Sequence, residues 1–243
     1  MTATENLSRV ELPATEWLLG RLDVPVVGLI HHGSTALGLG NERSDIDILA
    51  LSHAAGRRPL QVVGWERSVH VDYRRPSDLD PEQLSELLLS RMFDTNSIVT
   101  RISTGIVVFD TDGVAAALVG RFRDWRLPEL VAKKLVLEVL GFLNDVSGAL
   151  GDDETETADV LLRLVAHSLA KAALIDAGVH VVAPKWQYRL LERHAPVAAR
   201  GFLEVAGLGA APSALTARYA AARAWLREIR DRFALRAATG DLA

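Results

Sequence analysis

Val27-Gly28-Leu29-Ile30-His31-His32-Gly33-Ser34 and, after ten intervening residues, Asp45-Ile46-Asp47-Ile48-Leu49 form the stretch that decides how this chain is read. An apolar run predicts a strand that ends in Gly33-Ser34. Without a Cβ, Gly33 lets backbone amides approach a ligand closely, and the Ser34 hydroxyl adds a hydrogen bond, so phosphate oxygens suit the turn. On a second strand, residues two apart share a face. Asp45 and Asp47 then present paired carboxylates while Ile46 and Ile48 pack inward. Two carboxylates so placed repel unless positive charge lies between them. Hard cations such as Mg²⁺, bound by carboxylate together with substrate phosphate, meet that need.

A third acid lies on Val69-His70-Val71-Asp72-Tyr73. Alternation puts His70 and Asp72 on one face, and Val69, Val71 and Tyr73 on the other. If this strand pairs beside the Asp45/Asp47 strand, three carboxylates converge at the end of a Gly-Ser turn, as two-metal phosphoryl transfer requires.

Working outward, the first half of the chain predicts strands at Val24 to His31, Ile46 to Leu51, Gln61 to Gly64 and Ser68 to Tyr73, with Gly105 to Asp110 as a further one. Trp65-Glu66-Arg67 is placed to close a hairpin. Helices are expected near Glu16 to Arg21 and after Ser77. In the second half, Leu127 to Leu150, Thr157 to Ala177, Pro184 to Glu192 and Pro212 to Leu235 carry helical apolar spacing. Gly151 to Thr157 reads as an acidic loop, and Gly178 as a helix stop. The fold class expected is α+β: an N-terminal mixed β-sheet domain over 1–115, then a C-terminal helical bundle over 116–243. The linker falls between Asp110 and Pro128.

Composition narrows the partners. The 243 residues are 49% hydrophobic, enough to bury a core, and include no cysteine, which leaves carboxylates, His and hydroxyls for any chemistry. A net charge of −4 gives no broad basic footprint, so no long nucleic acid is expected. No apolar run approaches the roughly 20 residues of a spanning helix, so no membrane partner is expected. Met1 to Leu12 lacks an apolar signal core, and a cytoplasmic location follows as an expectation.

The Gly-Ser pair, the ten-residue spacer, Asp-x-Asp and a later single Asp on a strand together resemble the signature of the DNA polymerase beta-like nucleotidyltransferase superfamily, over about Val26 to Tyr73. In size and in its helical second half the chain is further similar to the aminoglycoside and lincosamide nucleotidyltransferases. The resemblance implies transfer of a nucleoside monophosphate from a triphosphate, ATP being the first choice, to a hydroxyl of a small acceptor such as an antibiotic or biosynthetic intermediate. Pyrophosphate leaves. It implies Asp45, Asp47 and Asp72 as catalytic and metal-ligating residues for two Mg²⁺ ions, with Mn²⁺ as a substitute. Ser34 would contact the terminal phosphates, and Asp72 is a candidate to take the acceptor proton. A monomer or homodimer is expected. Other branches of the superfamily modify a protein or an RNA end, and a non-catalytic, antitoxin-like nucleotide-binding module is a further alternative.

Outside the signature, Ser44 sits close enough to Asp45 to touch a triphosphate or else shapes the turn. Lys185, after Pro184 at the start of a helix, is the best phosphate ligand of the second half, so Gly33, Ser34, Ser44 and Lys185 form the nucleotide-binding set. Glu138 and Asp145 share a polar stripe with Lys134 and Gly141. They are either solvated or alternative general bases to Asp72. Arg163, His167 and Lys171 recur every four residues as a positive face. Arg74 and Arg75 either meet phosphate or pair with nearby acids. His31, His32 and His70 are left out of the metal set.

Overall fold

The computed structural model describes residues 12–54, 59–62, 66–80, 98–123, 129–179, 184–208 and 214–239. The described residues form two compact units, one of residues 12–80 with 98–123 and one of residues 129–239. The fold class is α+β, a mixed sheet followed by a helical region.

In the first unit α1 (Thr15–Leu19) precedes β1 (Gly28–His32), the one-turn α2 (Gly33–Ala36), β2 (Ile46–Leu51), β3 (Leu60–Val62) and β4 (Val69–Arg74). A 3-10 turn (Pro76–Asp78) follows, then α3 (Ile98–Ser103), β5 (Ile106–Asp110) and α4 (Val114–Arg123). The strand order is β3-β4-β2-β1-β5, with β2 and β4 parallel and every other pair antiparallel. The register assigns each residue to a face. Gly28, Ile30 and His32 of β1 stand beside Leu51, Leu49 and Asp47 of β2, which in turn stand beside Arg74, Asp72 and His70 of β4. The opposite face, with Leu29, Ile46, Ile48, Val69, Val71 and Tyr73, packs into a core that includes Leu18 of α1. A Cβ on Gly28 would lie 2.7 Å from the Ala115 methyl, so α4 covers the first face at that end. There Ile30, Leu49 and Leu51 are fully buried. The other end of this face carries Asp47, His70 and Asp72.

The second unit comprises α5 (Glu129–Gly151), α6 (Thr155–Asp176), α7 (Pro184–His194), α8 (Pro196–Ala206) and α9 (Leu215–Thr239). Helix α6 packs against each of the other four. Small and branched residues along it, Ala158, Leu162, Val165, Ala166, Leu169 and Ala173, are buried and allow that close approach. Gly178, with φ +77°, ends it in the left-handed conformation that glycine adopts without strain. Among the described residues no helix is long and apolar enough to cross a membrane.

Several boundaries differ from the sequence expectation. The strand expected from Val24 starts at Gly28, because Pro25 has no N–H for a ladder. Position 115/116, expected as the domain boundary, falls inside α4, whose Leu118, Val119 and Phe122 are buried. Helix α4 was not anticipated. Its start is fixed by Asp110, whose two carboxylate oxygens accept the amides of Ala115 and Ala116 at 2.9 Å. Helices α3 and α8 were also not anticipated. The acidic loop shrinks to 152–154, since Thr155 and Glu156 open α6, where Glu156 is favoured by the helix dipole. The helix expected after Ser77 and the hairpin-closing Trp65 lie outside the described residues.

Candidate active site

Gly33 decides the geometry. It follows β1 directly with φ +77°, and a Cβ there would lie 2.3 Å from Asp47 Oδ2. Only glycine combines that backbone with such an approach, so the turn rests directly on the Asp47 carboxylate. Beyond it, the Ser34 carbonyl accepts the amides of Leu39 and Gly40 at 2.8 and 2.9 Å, which closes the loop after α2. Thr35 then ties the turn to β2. Its hydroxyl donates to the Asp45 carbonyl at 3.4 Å and lies 2.8 Å from His31 Nε2. Turn and Asp-x-Asp are therefore one braced unit. Asp45 precedes β2 and is exposed, while Ile46 points into the core, so alternation puts Asp45 on the Asp47 face.

Asp72 pairs in register with Leu49, two residues beyond Asp47 on the adjacent parallel strand and on the same face. Its Oδ2 is held by two guanidiniums: Arg101 Nη1 of α3 at 2.5 Å and Arg74 Nη2 at 3.1 Å. Asp45, Asp47 and Asp72 thus share a face, but among the described residues no three His, Asp or Glu side chains stand together as a ready ligand set. Asp72 is turned to the arginines because carboxylates crowded on one face seek positive charge. Sequence reasoning missed Arg101. It is the only charged residue of α3, a helix that was not anticipated.

The histidines of β1 are buried and uncharged at neutral pH. Burial lowers His31 to about 4. Burial, with the nearby charge of Arg101 and then of His31, lowers His32 to about 3. His32 is 6% exposed, and its Nε2 has no hydrogen-bond partner among the described residues. It lies beside Asp47 in the register.

The remaining expected residues are placed as follows. Ser44 Oγ accepts the Asn41 amide at 2.9 Å and donates to Asn41 Oδ1 at 3.3 Å, so it shapes the loop before Asp45. Arg74 pairs with an acid, the second of its two expected roles. Lys185 belongs to the second unit, exposed in the first turn of α7 with Nζ 5.1 Å from the Trp186 ring centre. Within that unit Glu138 accepts from Ser168 Oγ at 2.7 Å and faces Lys171 at 3.7 Å, so it links α5 to α6 and does not face solvent. Asp145 and Gly141 are exposed. The positive face of α6 is divided: Arg163 pairs with Asp159, Lys171 with Glu138, and His167 Nδ1 meets Gln187 Oε1 at 2.6 Å.

The first unit is thus a mixed sheet carrying a glycine turn clamped on Asp-x-Asp, with a third acid one strand away. No protein-family model matches the sequence, and no curated protein does. Among solved structures the chain is similar to a nucleotidyltransferase-like protein from Exiguobacterium sibiricum 255-15, at 15% identity and a TM-score of 0.48, over 84% of this chain and 68% of that one.

Proposed function

We propose that the chain is a metal-dependent nucleotidyltransferase that moves a nucleoside monophosphate from a nucleoside triphosphate to a hydroxyl of a small acceptor. The observation that carries this reading is Gly33 packed on the Asp47 carboxylate, with Thr35 bracing Asp45. A phosphate-suited turn and an acid pair held rigidly together are what a charged, pre-organised transfer site needs.

The donor set fits a hard divalent ion. Asp45 and Asp47 offer carboxylate oxygens from one face, and Asp72, whose Oδ2 is held by Arg101 and Arg74, would add a third from the adjacent strand through its other oxygen. When bound, Mg²⁺ or Mn²⁺ ions supply charge neutralisation on the phosphates and activation of the attacking oxygen. The chain's own residues do the rest. The Gly33-Ser34 amides and the Ser34 hydroxyl hold the terminal phosphates. The acceptor oxygen bonds to the α-phosphorus, the bond to the β-phosphate oxygen breaks and pyrophosphate leaves. The acceptor proton passes to a carboxylate, for which Asp72 is the candidate within the first unit. ATP is the first triphosphate to test, with aminoglycosides and lincosamides among the acceptors.

The pairing of Asp72 with two arginines favours a second reading, a non-catalytic nucleotide-binding module. Pyrophosphate release across an acceptor panel separates the two. The transferase reading expects turnover in the parent protein and none in Asp47→Asn with its fold intact by circular dichroism. Parent-level turnover in Asp47→Asn sinks it, whereas Mg²⁺-dependent nucleotide binding with no turnover on any acceptor favours the module.

A further inference from the structure

Arg101 occupies a place that the transfer chemistry above leaves unassigned. It projects from α3 to Asp72 on β4, and its charge also acts on His32 of β1. In the strand order β4-β2-β1 those two residues flank β2, and both belong to the face that carries Asp47. Its side chain is 19% exposed, and among the described residues only Nη1 has a protein partner. At that exposure part of the side chain still reaches solvent. An arginine held at one corner by a carboxylate keeps the rest of its planar fork for a second oxyanion, and its stem is already ordered before that anion arrives.

We propose that Arg101 is a triphosphate ligand of this site, held in position by Asp72. The inference rests on the transferase reading and deepens it. Asp72 then has a second role, orienting the cation that meets the phosphates. Arg74, nearly half exposed on the same carboxylate oxygen, completes the pair that fixes Asp72.

The test uses the full chain and two probes, inorganic tripolyphosphate by calorimetry and Mn²⁺ by electron paramagnetic resonance. Arg101→Ala is expected to weaken tripolyphosphate binding about 10- to 100-fold, the range of one charge-assisted contact. Mn²⁺ affinity without phosphate should stay as tight or tighten, since Asp72 loses a competing cation. A merely structural role would move thermal stability and leave tripolyphosphate affinity alone. Should Arg101→Ala fail to fold, Arg101→Lys is read in its place. Lysine keeps the Asp72 pair but lacks the fork, so affinity should fall several-fold. Parent-level tripolyphosphate affinity in the folded variant overturns the inference, as does failure of the parent protein to bind tripolyphosphate. Mn²⁺ affinity unchanged by Asp47→Asn counts against the transferase reading instead and leaves Arg101 as an anion ligand.

Discussion

Asp72 and Asp159 are each held by two guanidiniums, and the difference between them separates the candidate site from a structural joint. Asp159 on α6 pairs with Arg163 of the same helix and with Arg218 of α9 at 2.6 Å. The Arg218 hydrogen bond, first among the causes, holds the Asp159 carboxyl below its usual range. Arg218 is only 5% exposed and donates from Nε to the Val205 carbonyl at 3.0 Å, so it fastens α9 to α6 and α8. Its fork is enclosed. Arg101 has the same partner chemistry but is more exposed, at 19% against 5%, on the sheet face that carries Asp47. The same ion pair is a joint where the arginine is sealed in and a candidate ligand where part of it still reaches solvent.

The largest effect expected is on activity at the glycine turn. Gly33→Ala forces a Cβ into the Asp47 carboxylate at a backbone angle that alanine resists. It should lower kcat/KM by about 100-fold or more through displacement of Asp47, with a stability loss of about 1–3 kcal/mol. Parent-level kcat/KM in this variant would show that the turn and the acid pair are not coupled. Next comes the joint. Arg218→Ala should lower stability by about 2–3 kcal/mol in urea unfolding, because a buried charged partner and its carbonyl bond are lost together. Arg101→Ala should lose less than half of that. Equal losses for the two would break the comparison.

Much of the candidate site's geometry was legible because its information is local. Gly33, Asp45 and Asp47 lie within fifteen consecutive residues, and strand alternation alone gives their faces. The shared face of Asp72 needed one non-local fact, the parallel pairing of β4 with β2. Arg101 was illegible for a physical reason. Ile98–Ser103 makes under two turns, too short for a helical period to show, and its partner is 29 residues away. Glu138 was misread for the opposite reason. A polar stripe predicts an aqueous face, but its carboxylate is taken up by Ser168 and Lys171 of the neighbouring helix. Asp110 offered a signal that was available: a carboxylate ahead of an apolar run marks the start of α4.

Acid should strain the site end through its two buried histidines. Folded-state values of about 4 for His31 and about 3 for His32 lie below the ordinary 6.5, so the unfolded chain binds more protons between those limits. Stability is full above pH 6.5 and is lost as pH falls toward 4, then 3. His31→Gln with His32→Gln should flatten the melting-temperature profile between pH 7 and about pH 4. An unchanged slope would assign the acid sensitivity elsewhere.

The smallest effect expected is at Glu138, and it bears on which residues belong to the joint. Its Oε1 accepts from Ser168 and faces Lys171, both on α6, so one oxygen of the carboxylate is already engaged within the second unit. Glu138→Gln keeps an acceptor for Ser168 and removes only a partly buried charge pair. Stability should fall by about 1 kcal/mol or less, and turnover should stay within about threefold of the parent, far short of the 10²–10⁴ that loss of a general base produces. A drop of that larger size, with a pH–rate profile that loses its acid limb, would move Glu138 from the joint to the chemistry. A small, pH-independent change would leave Asp72 as the carboxylate to test for the acceptor proton.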